Sequence, residues 1–214
     1  MTRPQPGAVR LMPTTRGGLR PLSVIAVLVV WALWPVLQVE PQAIDLVTQG
    51  RQALDAKRFD EAIGLFERAV STDARNPAAL AWLGSAQVRK AAGVPPMEAA
   101  GWVKRGFDTL DEATERFPAA FVVYLVRGVT ATNVPDMFHK APVAVKDLST
   151  VVTMREANAQ VVPETVMPTV YLNLGLAYKR NRQPAEARAA WEKGRTLYPS
   201  APETQAIERE LRSL

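Results

Sequence analysis

The sequence predicts an all-α protein: a solenoid of about four helix pairs with a C-terminal capping helix, preceded by one N-terminal transmembrane helix. Three observations lead to this prediction. Residues 21–39 form an uncharged and mostly apolar run. Beyond that run, small and bulky residues recur with a period of roughly 34 residues. The last segment, residues 201–214, is polar, as expected of a helix that caps an open stack.

The N-terminal part divides into a basic tail and a membrane-spanning run. Residues 1–20 contain four arginines and no acid, and their prolines and glycines predict disorder. As a helix, residues 21–39 would reach about 28 Å, close to the ~30 Å hydrocarbon layer of a bilayer. Arg20 precedes the run and Glu40 follows it. The positive-inside rule therefore places the tail in the cytoplasm and the later residues beyond the membrane, as in a bacterial periplasm.

Other interpretations of the N-terminal run remain open. A cleaved signal peptide would leave the later residues free in the periplasm, although the small residue Ala43 is preceded at the required spacing by Pro41. A buried core helix is disfavoured because the run has no polar face. A mitochondrial presequence is disfavoured because the prolines and glycines of residues 1–20 interrupt an amphipathic helix.

The repeated pattern is clearest in two distant segments. Gly50 is followed by a small residue at +12, a bulky one at +16 and a small one at +19, namely Ala62, Phe66 and Ala69. Gly175 is followed at the same three offsets by Ala187, Trp191 and Gly194. Small residues allow helix backbones to approach closely, while the bulky residue fills the space between a pair and its neighbour. The pattern therefore predicts packed helix pairs.

Two middle copies follow the same pattern with insertions. The second copy starts at Gly84 and has an excess of ten residues around AAGVPP, and the third starts at Gly128 with an excess of four at NVPDMFHKAP. An excess of nine residues in the region of NAQVVPETVMP precedes the fourth copy. The small, bulky and small positions of these two copies are Gly106, Leu110, Ala113, Ala144, Leu148 and Val151.

This pattern resembles the tetratricopeptide repeat family over about residues 43–199, within a repeat domain assigned to residues 43–214. Besides the small and bulky sets, the residues that carry the likeness are Leu83-Gly84, Leu174-Gly175, Tyr178, Pro118 and Pro199. The resemblance implies antiparallel helix pairs whose stack curves, so that one helix of each pair lines a concave face.

The resemblance also implies where a binding groove lies. With units starting at Ala43, Pro77, Phe121 and Pro168, the groove-facing positions follow from the family's register. They are Val47, Arg51, Leu54, Ala81, Ser85, Val88, Leu125, Val129, Thr132, Leu172, Leu176 and Lys179, with Arg51, Arg89, Lys179 and Arg180 toward the edges. We expect this groove to hold a peptide with apolar anchors. The alternative is that its leucines and valines are ordinary core.

The insertion NVPDMFHKAP supplies a second candidate contact. It places Met137 and Phe138 in a loop bracketed by prolines. Exposed apolar side chains in such a loop are candidate contacts for a partner. The alternative is that the two residues fold back over the stack as a lid.

Composition argues against catalysis, metal binding and cofactors. The chain has no Cys and a single His, His139, which excludes thiolate nucleophiles and His-rich metal sites. The acidic cluster at residues 108–115 has the spacing of a solvated helix face. Beyond residue 20 the chain has 22 basic and 21 acidic residues, so the near-neutral repeat region does not predict nucleic-acid binding.

The family resemblance implies a membrane-anchored scaffold or adaptor that assembles other proteins, for example an envelope complex. A different class of function is a small-ligand-binding companion of a solute transporter. Its cavity would be lined by Trp102, Phe121, Tyr124, Tyr171 and Tyr178. A self-assembling structural module is a third interpretation. The sequence specifies neither the partner, the pathway nor the oligomeric state.

Overall fold

A computed structural model describes residues 41–214, with side chains from residue 45 onward. The described residues form nine α-helices and no strand: α1 (Pro41–Asp55), α2 (Phe59–Thr72), α3 (Pro77–Lys90), α4 (Pro96–Arg116), α5 (Phe121–Asn133), α6 (Ala141–Ala157), α7 (Met167–Arg180), α8 (Pro184–Leu197) and α9 (Pro202–Arg212). The predicted tail and transmembrane helix, residues 1–20 and 21–39, lie outside the described residues. None of the helices described is both long and apolar enough to cross a membrane.

The nine helices are arranged as four pairs and one terminal helix. Helices α1 and α2, α3 and α4, α5 and α6, and α7 and α8 form the pairs, and α9 packs on α7 and α8. The first helices α1, α3, α5 and α7 contact one another in sequence and form one layer of the stack. The predicted solenoid of helix pairs is thereby confirmed.

Proline and asparagine determine where several helices begin. Pro77, Pro96, Pro184 and Pro202 each occupy the first turn of a helix, where a missing N–H costs nothing. Asn76 caps α3, because its side-chain oxygen accepts hydrogen bonds from the backbone N–H groups of residues 78 and 79 at 3.0 and 3.2 Å. Helices α3 and α5 begin at the predicted residues, whereas α1 begins two residues earlier and α7 one residue earlier.

In every pair the bulky residue lies against the glycine of the first helix. A Cβ atom added to that glycine would meet the bulky side chain at less than 3.0 Å in all four pairs: Gly50 with Phe66, Gly84 with Leu110, Gly128 with Leu148, and Gly175 with Trp191. Phe66 also stacks on Trp82 of the next pair at a ring-centroid distance of 6.5 Å. The bulky residues thus fill space within their own pair as well as toward the neighbour.

The second pair shows the closest backbone approach. A Cβ on Gly84 would lie 2.7 Å from the carbonyl oxygen of Gly106, and a Cβ on Gly106 would lie 2.6 Å from that of Gly84. Two helix backbones can approach this closely only where neither residue has a side chain. The ten-residue insertion leaves this contact intact, because it is taken up by the turn Ala91–Gly93 and by the 21 residues of α4.

The insertion between α5 and α6 folds as a short 3₁₀ helix, Asp136–Phe138, held by a side chain from the next pair. The guanidinium of Arg180 donates to the Asp136 carboxylate and to the backbone carbonyls of Thr132 and Val134. It thereby satisfies carbonyls at the C-terminal end of α5 that lack helical partners.

A buried ion pair lies within the third pair, and its arginine also bonds to the second pair. Arg127 on α5 donates two hydrogen bonds, at 2.7 and 2.8 Å, to the fully buried carboxylate of Asp147 on α6. It also donates to Asp111 and Thr114 on α4. Burial raises the pKa of Asp147, and the hydrogen bonds and charge of Arg127 offset part of that rise. Burial lowers the pKa of Arg127, but bonding to Asp147 raises it above its usual value.

Candidate functional site

The layer of first helices forms a concave cleft with a volume of about 1070 Å³. Its lining comes from α1, α3, α5, the starts of α2, α4 and α7, and the connecting turns. Trp82, Val122, Leu125, Val129 and Phe138 line it with apolar side chains that remain partly exposed. Because these side chains come from more than one pair, the cleft is a property of the stack and not of any single pair.

Part of the sequence-predicted groove lies in this cleft. The predicted residues that line it are Arg51, Ser85, Val88, Arg89, Leu125 and Val129. They come from the first, second and third units of the predicted register. The hydroxyl of Ser85 accepts a hydrogen bond from Thr130 at 2.9 Å, so the floor of the cleft is polar at one buried point.

The structure places other predicted residues of the first three units in the interior. Leu54 is fully buried in a cluster with residues of α2, and Ala81 is fully buried in the central core. Val47 packs partly buried against α2 and α3. Thr132 is buried and donates to the carbonyl of Gly128 at 2.9 Å. The family's register therefore assigned to the groove several residues that are buried by packing inside the stack.

The predicted residues of α7 lie under α9 and not in the cleft. Leu172 and Leu176 pack against Trp191 and Ile207, the latter being a residue of α9. The ammonium of Lys179 donates to Glu210 of α9 at 2.9 Å, and Arg180 holds the turn after α5. Helix α9 therefore packs on the face of α7 that the register assigned to the groove and leaves Leu172, Leu176 and Lys179 partly exposed.

The two predicted loop residues point to different environments. Met137 is 75% exposed, whereas Phe138 packs partly buried against the central core and forms part of the cleft wall. His139, the next residue, adopts a left-handed backbone conformation with φ of 51°. Only Phe138 of the predicted pair thus contributes to the cleft.

The charged side chains that line the cleft are all cations. They are Arg51 on α1, Lys57 in the turn after α1, and Arg89 near the end of α3, and none of the described lining residues is acidic. The guanidinium of Arg51 lies 5.0 Å from the centre of the Trp82 ring. Such stacking orients a guanidinium while leaving its N–H donors available.

Sequence reasoning missed Lys57, although a signal for it exists. Lys57 lies seven residues after Gly50, as Arg182 lies seven residues after Gly175, and both have a left-handed φ, 58° and 60°. Each is the left-handed residue of a Schellman motif at the end of a helix. The backbone N–H of Arg58 donates to the carbonyl of Ala53 at 2.8 Å, and that of Gln183 donates to the carbonyl of Tyr178 at 2.9 Å. The offset of seven therefore marks a left-handed turn residue in the first and fourth units.

Trp82 and Phe121 were also missed as groove residues. Trp82 lies one residue after a predicted groove position, and Phe121 is the first residue of its unit. No sequence signal separates these aromatic residues from core, because whether an aromatic ring is covered depends on the neighbouring pair.

Three of the aromatic residues suggested for a small-molecule cavity, Phe121, Tyr124 and Tyr171, belong to one apolar cluster. Only Phe121 of that set lines the cleft. Trp102 lies between the cations of Lys90 and Arg105, at 4.2 and 4.7 Å from its ring centre. The remaining tyrosines of the set belong to core clusters in the third and fourth pairs. Within the described part of the chain, no group of three or more acidic or His side chains is arranged to hold a metal ion.

Comparison with known proteins supports the fold. No protein-family model and no curated protein matches this chain. Among solved structures it is similar to a mutant of MamA, with 23% identity, a TM-score of 0.50, and coverage of 78% of this chain and 83% of that chain. A TPR protein of Thermus thermophilus, TTC0263, is 17% identical with a TM-score of 0.48, covering 80% of this chain and 100% of that chain. The likeness to MamA, together with the four stacked pairs, shows a tetratricopeptide-like fold.

Proposed function

We propose that this protein is a non-catalytic scaffold, anchored in a membrane, that binds a segment of another protein in the concave cleft. The observation that carries the proposal is the row of partly exposed apolar side chains, from Trp82 to Phe138, along a cleft of about 1070 Å³. Contiguous exposed apolar surface is typical of a site that another molecule covers.

The shape of the cleft favours a protein segment over a small solute. Small-molecule pockets have volumes of about 300–1,000 Å³ and enclose most of their ligand. This cleft instead extends across successive pairs, and its side chains stay partly exposed along that length. A peptide segment can contact successive first helices at once, which is how helix-lined grooves recognise their partners.

The anchoring part of the proposal rests on the sequence alone. The uncharged residues 21–39 follow Arg16 and Arg20 and precede Glu40 and Asp45. This arrangement supports a single span with the repeat domain on the periplasmic side of a bacterial inner membrane. A tether raises the effective concentration of the cleft near membrane-bound partners, so contacts of modest affinity suffice for assembly.

The binding proposal is tested by site-specific photocrosslinking of the full chain in its native cells. A photoreactive amino acid replaces Val129, which lines the cleft, and in a control it replaces Glu115, which is exposed on α4 outside the cleft. We expect adducts of discrete mass from position 129 and none from position 115. Equal adducts from both positions, or none from position 129, would contradict the proposal.

The anchoring proposal is tested separately. We expect the full chain to stay in the membrane fraction after alkaline extraction and to be cleaved by a protease added to the periplasmic side only. A variant lacking residues 21–39 should become extractable. Alkaline extraction of the unmodified chain would refute the anchor and leave the cleft proposal standing.

A further inference from the structure

The charged side chains that line the cleft all have one sign. Elsewhere on the described surface, several cations are paired closely with carboxylates, for example Arg58 with Glu61 at 2.8 Å and Lys193 with Glu156 at 2.7 Å, while others, such as Arg105, stack on an aromatic ring. The described cleft lining, by contrast, contains cations without acids. A region that is nearly neutral overall thus presents a local excess of positive charge where its apolar surface is exposed.

The three cleft cations are weakly engaged within the described chain. Arg51 stacks on Trp82, and neither Arg51 nor Lys57 has a carboxylate within ion-pair distance among the described residues. Arg89 approaches Asp55 only to 4.0 Å, and the Asp55 side chain is 80% exposed. All three residues are exposed, so a carboxylate of a partner can reach them, in competition with Asp55 at Arg89.

The cations lie on one side of the cleft. Arg51, Lys57 and Arg89 belong to α1, the turn after it and the end of α3. The lining residues contributed by α5 and by the turn before α7, such as Val122 and Val166, are uncharged. A ligand that follows the cleft meets a basic part and then an apolar part.

We infer that the segment bound in the cleft has two blocks: side-chain carboxylates that contact Arg51, Lys57 and Arg89, and adjacent apolar residues that pack on the α5 side. This inference rests on the proposed function and specifies the chemistry of the partner. The guanidinium of Arg51 lies 5.0 Å from the centre of the Trp82 ring, and a guanidinium can form a bidentate bond to Asp or Glu. Charge complementarity of this kind selects among partners and accelerates association at low salt.

The test uses the full chain in a mild non-ionic detergent and fluorescent peptides with blocked termini, so that only side chains carry charge. One peptide joins a block of glutamates to a block of leucine and valine, and its control has glutamines in place of the glutamates. We expect the glutamate peptide to bind about tenfold more tightly or better. Its affinity should fall as the salt concentration rises from about 50 mM to about 500 mM, while that of the control should not.

Two pairs of matched variants assign the effect to the cleft. Lys57→Gly and Arg182→Gly both relieve a left-handed backbone at equivalent turns, but only Lys57 lines the cleft. Arg51→Gln and Arg105→Gln both remove a guanidinium stacked on a tryptophan, at 5.0 and 4.7 Å, but only Arg51 lines the cleft. We expect about tenfold weaker binding for Arg51→Gln, about threefold for Lys57→Gly, and no change for either control.

The outcomes separate this inference from the proposed function. Equal binding of the two peptides, or equal losses in the cleft variants and their controls, would overturn the inference and leave a cleft that recognises apolar residues alone. Absence of saturable binding of the glutamate peptide up to about 1 mM overturns the inference. If crosslinking from position 129 also yields no adduct, the proposed function fails with it.

Discussion

The first helices of the third and fourth pairs have similar apolar residues, but these residues have different neighbours. All four residues are partly buried, but Leu125 and Val129 of α5 line the cleft, whereas Leu172 and Leu176 of α7 pack against the cluster that contains Ile207 of α9. The register assigned all four residues to the same surface. The difference shows that a face of a repeat is a binding surface only where no neighbouring helix covers it.

The largest loss of stability should come from removing the indole ring of Trp191 in the fourth pair. Trp191 is fully buried against Gly175, and its indole N–H donates to the carbonyl of Leu172 at 3.0 Å. We expect Trp191→Ala to lower the free energy of unfolding by about 3–5 kcal/mol, because it leaves a large cavity and removes the hydrogen bond of the indole N–H. Chemical denaturation measures the change. The comparison is Trp82→Ala in the cleft. An equal loss of stability in that variant would mean that the cleft wall and the interior of the fourth pair do not differ.

The stability of the third pair, which lines the cleft through α5, should depend on the ion pair of Arg127 and Asp147. We expect Arg127→Leu to lower the free energy of unfolding by about 3–5 kcal/mol, because Asp147 is then left buried without a counterion. The double variant Arg127→Leu with Asp147→Leu should recover most of that loss. Denaturant titration of the single and double variants measures the coupling. A double variant no more stable than the single one would show that the hydrogen bonds of Arg127, and not the orphaned carboxylate, account for the loss.

A charge placed on each of the two faces should separate binding from folding. Leu176→Asp puts a carboxylate under α9, and we expect it to cost about 2–3 kcal/mol of stability. Val129→Asp puts the same group in the open cleft, where water solvates it, so the thermal midpoint should change little while peptide binding is lost. The comparison is made by thermal unfolding and fluorescence anisotropy on the same samples. Unfolding of Val129→Asp would identify this face as core.

The smallest effect concerns the two strained turns. Lys57→Gly and Arg182→Gly should each stabilise the fold by about 1 kcal/mol, which corresponds to a rise of about 2–4 °C in the thermal midpoint. The reason is that glycine adopts a left-handed backbone without the clash of a Cβ atom. A loss of stability in both variants would indicate that these side chains make contacts more favourable than the strain they carry.

Much of the fold was predictable from local spacing. Gly175 and Trp191 were assigned to one unit by the spacing between them, and the structure places the indole directly against that glycine. The same pattern located the contact of Gly84 with Leu110 despite a ten-residue insertion. Such positions are predictable because a helix pair is a local structure whose contacts repeat with the chain.

Less of the candidate site was predictable. Arg51 and Val129 were expected to line a groove and they line the cleft, but Trp82 and Phe138 form its wall without a periodic signal. The placement of Phe138 depends on how an insertion folds and on Arg180 from the next pair, which bonds to the same turn. Contacts between pairs are not encoded in the spacing within a pair.

The sequence by itself determined the helix pairs, the positions of close contact within them and the near balance of charge beyond the basic tail. It also supplies the uncharged run on which the proposed anchor rests. Only the tertiary structure decided that α9 packs on α7, that α5 lines a cleft, and that the described lining of this cleft carries cations without acids. The physical reason is that the residues of a pair determine its own packing, whereas the exposure of a side chain depends on which distant element lies beside it.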